Sequence, residues 1–381
     1  MFVGSLLMIN QQGNLKVEPA LIQFQNLQDQ VQLRVVDNLG VDFTSKATFK
    51  SSDSKTISVS STGEVKPLQS GNTSIIATIG NLNAISTVNS QIDTSKVPTF
   101  EKDIQPILTR FGCNSGPCHG KQRGQNGFQL SLLAFDDDFD FGAIVTEARG
   151  RRIFPSSPES SILLMKATGA VPHGGGKKLD PESTAYKQLL SWIKVGTPRT
   201  PKSEPKIIAL EITPANLILP PKTKVQVRAI AKFEDGNSKD VTHLSAFQSS
   251  ESVLTSVDSK GLIETGSLPG EVAIMARYME KFAICYVTMP LTGATKSKLP
   301  SRISSDHFID TLLSNKFEKL GLSPSEPAND SVLVRRMYLD IIGRLPTPEE
   351  TRAWLNETSP DKVRNLAVQL VNRPEYAEFW A

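Results

Sequence analysis

Cysteine is scarce in this sequence, with three in 381 residues, too few for a fold built on disulfides. Long apolar runs are missing as well, and no segment approaches the roughly 20 residues a membrane-crossing helix requires. Neither charge sign dominates: 42 basic against 39 acidic residues leave +3. No Lys/Arg cluster is interleaved with aromatics, so nothing points to nucleic acid. Only four histidines occur, and no nucleophile elbow, phosphate-cradling glycine loop or His-Glu-x-x-His helix is found. Asp136 to Asp138 and Asp140 lack the spacing and glycine turn of a calcium loop. What is plentiful is turn chemistry, 25 glycines and 24 prolines, which favours strands over a helical bundle. The length calls for two to four domains. Residues 1–13 begin with Met1-Phe-Val-Gly-Ser-Leu-Leu-Met-Ile-Asn10, similar to the end of a signal-peptide apolar region and expected to be its remnant.

Two segments repeat. Leu15-Lys-Val-Glu-Pro19 matches Leu210-Glu-Ile-Thr-Pro214, and Phe49-Lys-Ser-Ser52 matches Phe247-Gln-Ser-Ser250. Val59-Ser-Ser-Thr-Gly63-Glu-Val65 matches Val257-Asp-Ser-Lys-Gly261-Leu-Ile263. Both copies alternate with period two, as in Val31-Gln-Leu-Arg-Val35 and Val225-Gln-Val-Arg-Ala229, and turns punctuate them. That pattern predicts two all-β sandwiches, over 14–96 and 205–292. Their ordered motifs resemble bacterial immunoglobulin-like domains of group 2, which implies spacer or adhesive modules on exported proteins. Cys285, within Phe282-Ala-Ile-Cys-Tyr-Val287, reads as a buried core thiol.

Residues 97–200 between the repeats have a different character. Phe100, Ile104, Ile107, Leu108 and Phe111 are helically spaced and lead into Cys113-Asn-Ser-Gly-Pro-Cys118-His119-Gly120. Two thiols with a histidine directly after the second allow three chemistries. The thiols can attach a haem through thioethers while the imidazole ligates iron. They can close a disulfide, or they can join His119 in a zinc site. Haem attachment usually has two residues between the cysteines, whereas four lie here, so the loop must bulge. Downstream, Asp180-Pro-Glu-Ser183 predicts a helix start. Tyr186, Leu189, Leu190 and Ile193 then share a face near Trp192, and Gly196 and Pro198 stop the helix.

From residue 303 the pattern is wholly helical. Phe308, Ile309, Leu312, Leu313 and Phe317 form one stripe, and Leu333, Met337 and Ile341 another beside Val334, Tyr338 and Ile342. Thr347-Pro-Glu-Glu350 predicts a capping box. The sequence ends inside an apparent amphipathic helix, so 303–381 is expected to be the opening of a larger helical domain in a longer protein. His243 and His307 stand alone in sequence and read as structural.

Taken together, Cys113-Asn-Ser-Gly-Pro-Cys-His-Gly-Lys121, Gly124-Gln-Asn-Gly-Phe-Gln-Leu-Ser-Leu132, Glu147-Ala-Arg-Gly-Arg-Arg152 and Lys166-Ala-Thr-Gly-Ala-Val-Pro-His-Gly-Gly-Gly176 resemble planctomycete-type cytochrome c domains. In that family the cytochrome accompanies bacterial Ig-like domains and a helical domain of unknown function. Arg335-Arg-Met-Tyr-Leu-Asp-Ile-Ile-Gly-Arg-Leu-Pro-Thr-Pro-Glu-Glu350 and Glu375-Tyr-Ala-Glu-Phe-Trp380 are similar to that domain's opening. The resemblance implies a multidomain fold: two Ig-like sandwiches flanking a small, mainly α, class I-like cytochrome c domain, then an all-α segment.

It further implies one covalent haem c on Cys113 and Cys118, with His119 as the proximal iron ligand. A methionine before a proline often supplies the distal ligand in such cytochromes, but here Val171-Pro172-His173 occupies that position. His173, ahead of three glycines, is the expected distal ligand, with Met165 the alternative. A bis-histidine iron has a lower potential than a His/Met iron. Arg149, Arg151 and Arg152 are candidate propionate contacts. Phe128, Leu130, Leu132, Leu133 and Phe135 are candidate wall residues. The expected activity is single-electron transfer with the C-terminal region or an external redox partner, on an exported, periplasmic or cell-surface protein. The Ig-like domains would contact extracellular polymer. The rival reading is a structural or adhesive surface protein whose Cys-Cys-His loop is a disulfide or zinc staple. No catalytic constellation is present, so an enzyme acting on polymer would rest on family analogy alone.

Overall fold

The computed structural model describes residues 14–291 and 307–381; the expected signal remnant lies outside them. Residues 14–291 belong to one compact unit and residues 322–381 to another.

The two repeats have the same topology. In the first, a four-stranded sheet runs Leu21–Phe24, Leu82–Ser90, Gly71–Ile79, Thr48–Ser51, and a three-stranded one runs Val31–Gln32, Glu64–Pro67, Ile57–Val59. In the second, the corresponding sheets are Asn216–Ile218, Lys281–Met289, Gly270–Tyr278, Ala246–Ser249 and Lys224–Gln226, Leu262–Thr265, Thr255–Val257. In each four-stranded sheet the first strand pairs parallel with the last in sequence. The period-two pattern becomes alternating burial, so that Ala84, Ser86, Val88 and Ser90 of one strand face inward. Each sandwich also buries a glutamine at a matching position. The Nε2 of Gln32 donates to the carbonyls of Leu33 and Thr62. The Nε2 of Gln226 donates to those of Val227 and Lys260. These bonds offset the burial of each amide. Cys285 is fully buried, and its thiol is pushed up to about 12 by burial, as suits an inert core residue.

Between the sandwiches lies a small, mainly helical domain. A wide helical turn over Phe100–Ile104 runs into α1 (Gln105–Arg110), followed by α2 (Asp137–Val145), α3 (Ile162–Thr168) and α4 (Thr184–Lys194). Phe100, Ile104, Ile107, Leu130, Ile144, Leu164, Leu189 and Trp192 form its centre, and this core is continuous with that of the second sandwich. Trp192 donates its Nε1–H to the Pro198 carbonyl at 2.9 Å, which secures the segment after α4. The start of α4 falls later than Asp180-Pro181 suggested. Ser183 is the cap, its Oγ accepting from Tyr186 N, while Asp180 closes the preceding turn by accepting from Glu182 N.

The C-terminal elements are α5 (Phe308–Leu320), α6 (Asp330–Ile342), α7 (Pro348–Asn356), α8 (Lys362–Val371) and α9 (Pro374–Trp380). Val334, Met337, Tyr338, Ile342, Trp354, Leu366 and Leu370 make the core of the smaller unit. The predicted stripe on α5 is not a core face: Phe308, Ile309, Leu312 and Leu313 are exposed.

Candidate functional site

The Cys-Cys-His loop is fixed by its own backbone. The N–H of Cys113 donates to Leu108 O at the end of α1, and that of Cys118 donates to Ser115 O. The N–H of His119 returns to Cys113 O at 3.0 Å, and the N–H of Gly120 to Ser115 O. The loop is so tight at its end that a Cβ on Gly120 would lie 2.0 Å from Asn114 O. The bulge anticipated from four intervening residues is thus a compact double turn. Both cysteines carry free thiols. Burial pushes the Cys113 thiol up to about 11.

His119 points into a cavity of about 840 Å³ bounded by Ile107, Leu108, Leu130, Leu179 and Leu189 on its apolar side, within the size range of cofactor sites. Cys113, Cys118 and His173 line the same cavity. The Nδ1 of His119 lies 2.9 Å from Phe128 O, and the Nδ1 of His173 lies 2.8 Å from Gly176 O. A carbonyl only accepts, so each Nδ1 carries a proton, and in the neutral ring the lone pair is then on Nε2. That tautomer, held by a backbone carbonyl, is what an imidazole ligand to a metal requires. Burial pushes the His119 pKa down and favours the neutral ring, against its bond to Phe128 O, which works the other way; the charge of Arg152 adds to the lowering.

The centroids of the two rings lie 6.2 Å apart, with planes within 7° of parallel. Two imidazoles bound end-on to one metal hold their ring centres about 6 Å apart, from bonds of about 2 Å and about 1 Å from nitrogen to ring centre. Gly175 packs against the Cε1–Nε2 edge of His173, where a Cβ would lie 3.0 and 3.3 Å from those atoms. The ring-centre spacing and the two thiols in the same cavity are compatible with a haem held by two histidines. A zinc staple needs four ligands converging on a point. Among the described residues no three His, Cys, Asp or Glu side chains do so. Instead the two cysteines and two histidines surround a space.

The remaining expected residues divide. Phe128 and Leu130 are in the wall, but Leu132, Leu133 and Phe135 are not. Leu133 and Ala134 take left-handed backbone angles (φ 54° and 64°), which carry the chain outward and leave Phe135 89% exposed. Met165 is not a wall residue; α3 presents Ile162, Leu163, Lys166 and Ala167 instead. Of the arginines, Arg149 lies away from the cavity and Arg151 is exposed at its rim. Arg152 lines the cavity from a buried position, donating to Ala143 O and to Gly127 O and stacking 4.5 Å over Phe128. Its role is to hold the His119 support in place. Lys178, which the sequence reading passed over, lines the cavity as a cation. Lysines are too common for any sequence signal to have singled it out. His243 contributes nothing here; its Nδ1 is shielded from solvent without a hydrogen-bond partner, and burial pushes its pKa well below the usual value.

Comparison with known proteins adds one family match. The family described as PSCyt2, a protein of unknown function (DUF1549), matches residues 308–381. It covers the C-terminal helices and not the cavity. A stretch of 96 residues is 29% identical to Ice-binding protein 1 of Shewanella frigidimarina (strain NCIMB 400), covering 24% of this chain and 11% of that protein. The chain thus spans about a tenth of that relative's length. Domains 5-6 of the S-layer protein SbsC align over 74% of this chain and all of theirs, at 11% identity and a TM-score of 0.28. The Yersinia pseudotuberculosis adhesin InvE aligns over 75% of this chain and 60% of its own, at 9% identity and a TM-score of 0.17. No helix among the described residues is long and apolar enough to cross a membrane.

Proposed function

We propose that the domain over 97–200 is a c-type cytochrome, carrying one covalent haem and passing single electrons, on an exported protein of the periplasm or cell surface. The observation that carries this reading is the pair His119 and His173, proton-locked by carbonyls and separated by the span of two metal-bound imidazoles across a cavity that also holds two thiols. When bound, the haem supplies a one-electron couple, low in potential for two histidine ligands. Cys113 and Cys118 would attach it, each S–H adding across one vinyl group. His119 and His173 would hold the iron through Nε2. Phe128 O and Gly176 O orient the two rings, and Arg152 anchors the segment that carries Phe128. Ile107, Leu108, Leu130 and Leu189 exclude water, which favours the less charged oxidation state. Arg151, Lys166 and Lys178 are cations of the lining able to meet carboxylates. The sandwiches present the domain and offer surface for an extracellular polymer, and the helical C-terminal region or an external protein is the redox partner.

The test is a pyridine haemochrome spectrum on protein made in a strain that matures haem c, beside the Cys113→Ala/Cys118→Ala double variant. The wild type is expected to keep a c-type α-band through acid-acetone extraction, and the double variant to lose it. A colourless wild type, with a control cytochrome matured in the same strain, refutes the proposal and leaves a structural or adhesive protein.

A further inference from the structure

Building on the haem reading, we propose that His173 is a displaceable ligand, and that its side of the cavity takes a small neutral π-acceptor molecule, of the carbon monoxide class, in its stead. The two histidines are held by unlike backbones. His119 is tied to its own loop and to the 128–130 segment: its N–H donates to Cys113 O at 3.0 Å, its carbonyl accepts from Leu130 N at 2.8 Å, and its Nδ1 donates to Phe128 O at 2.9 Å. Its ring also packs 4.5 Å from that of Phe128. It directly follows Cys118, so a thioether would hold it as well.

His173 has none of this. It lies in the irregular segment between α3 and α4, and Gly174, Gly175 and Gly176 after it are all exposed. Both hydrogen bonds that orient it are internal to its own turn, Nδ1 to Gly176 O at 2.8 Å and Gly176 N to His173 O at 2.9 Å. The turn can therefore swing away as a body, with ring and orienting carbonyl together. The external ties flank the turn: Lys166 Nζ to Pro172 O at 2.6 Å, Val171 N to Met165 O at 3.3 Å and Lys178 N to Ala167 O at 2.8 Å. Detachment on this side breaks one iron–nitrogen bond and no hydrogen bond to the ring, whereas detachment of His119 breaks the packing of its whole segment. Segments with few external ties open at low free-energy cost. The exchange is redox-neutral: the iron–nitrogen bond to His173 breaks, an iron–carbon bond forms, and the freed Nε2 keeps its lone pair.

The experiment mixes the ferrous, haem-loaded protein with carbon monoxide and follows the absorption spectrum. In the wild type the rate is expected to rise with carbon monoxide and then level off at the rate at which His173 leaves. In His173→Ala it should stay linear in carbon monoxide, and affinity should rise at least about tenfold, because the fraction of sites open to ligand goes to one. A haem-loaded wild type that takes up no carbon monoxide at saturation overturns the proposal. So does a His173→Ala protein with the wild-type spectrum and rate law. Protein that never acquires covalent haem overturns the cytochrome reading itself, at a step before any gas is added, so the two failures are separable.

Discussion

A single atom decides the form of the Cys-Cys-His loop. The hydrogen on Gly120 occupies space that a methyl group cannot, because Asn114 O would lie 2.0 Å from it. Asn114 cannot yield easily. It is buried, its Nδ2 donates to Thr109 Oγ1 and its carbonyl also accepts from Leu133 N. Gly120→Ala should therefore cost about 3 kcal/mol of stability, the range for enforced backbone strain in a packed site. It should also lower the yield of covalent haem, since Cys118 and His119 would move. Gly116, four residues earlier, has open space around it, and Gly116→Ala should leave both quantities within error. Denaturant titration with haem absorbance per protein separates the two variants.

At the scale of an element, α7 shows how much local sequence can specify. Thr347 Oγ1 accepts from Glu350 N, and Glu350 Oε2 accepts from Thr347 N at 2.8 Å, which is the predicted capping box. The structure adds what the motif does not contain. Arg344 donates twice to Glu350 at 2.9 Å and Arg373 once at 2.7 Å, so one carboxylate joins α7 to the ends of α6 and α8. The Arg344 guanidinium, helped by Thr347 N and Arg373, holds this carboxyl far below the usual carboxylate range despite partial burial. A pKa lowered in the folded state stabilises above the unfolded value of about 4.5 and loses that contribution as pH falls through the folded value. Glu350→Gln should then cost about 2 kcal/mol at neutral pH and flatten the acid limb of the helical unit's unfolding. Hydrogen exchange on α6 to α8 between pH 7 and pH 3 (~two conditions suffice to read the slope) reports both effects.

For the larger unit the chief finding is continuity. Spacer modules on a string would have separate cores, yet the helical domain and second sandwich share one. Polar ties cross every boundary: Lys239 to Asp29 at 2.7 Å, Arg110 to the carbonyls of Thr242 and Ser245, Tyr278 to Lys102 O, and Arg277 to Leu133 O. Lys239 is the centre of this system. Burial opposes its charge, but Asp29 and Asp103 outweigh that and raise its pKa. Lys239→Met would leave Asp29 without its ion-pair partner and should destabilise the unit by about 1–2 kcal/mol. Asp29→Asn in the same chain should recover part of the loss. Denaturation midpoints together with protease cleavage across residues 91–99 would read the coupling; equal cleavage in all three proteins would show that this ion pair does not hold the first sandwich in position.

The sequence by itself determined both β-sandwiches and the cap of α7, and it singled out His119, His173, Cys113 and Cys118 as candidates. Those features rest on local periodicity, on turn and capping chemistry, and on rare residue types whose positions are informative. Only the tertiary structure decided which candidates meet. Arg152 looks like a carboxylate-binding arginine in sequence, but the chain folds two backbone carbonyls onto it. Phe135 continues an apolar run, yet the left-handed turn at Leu133 and Ala134 sends it outward. The carbonyls of Phe128 and Gly176, which set the tautomers of the two histidines, have no sequence signature, because every residue carries one. Their effect arises only from where folding brings them.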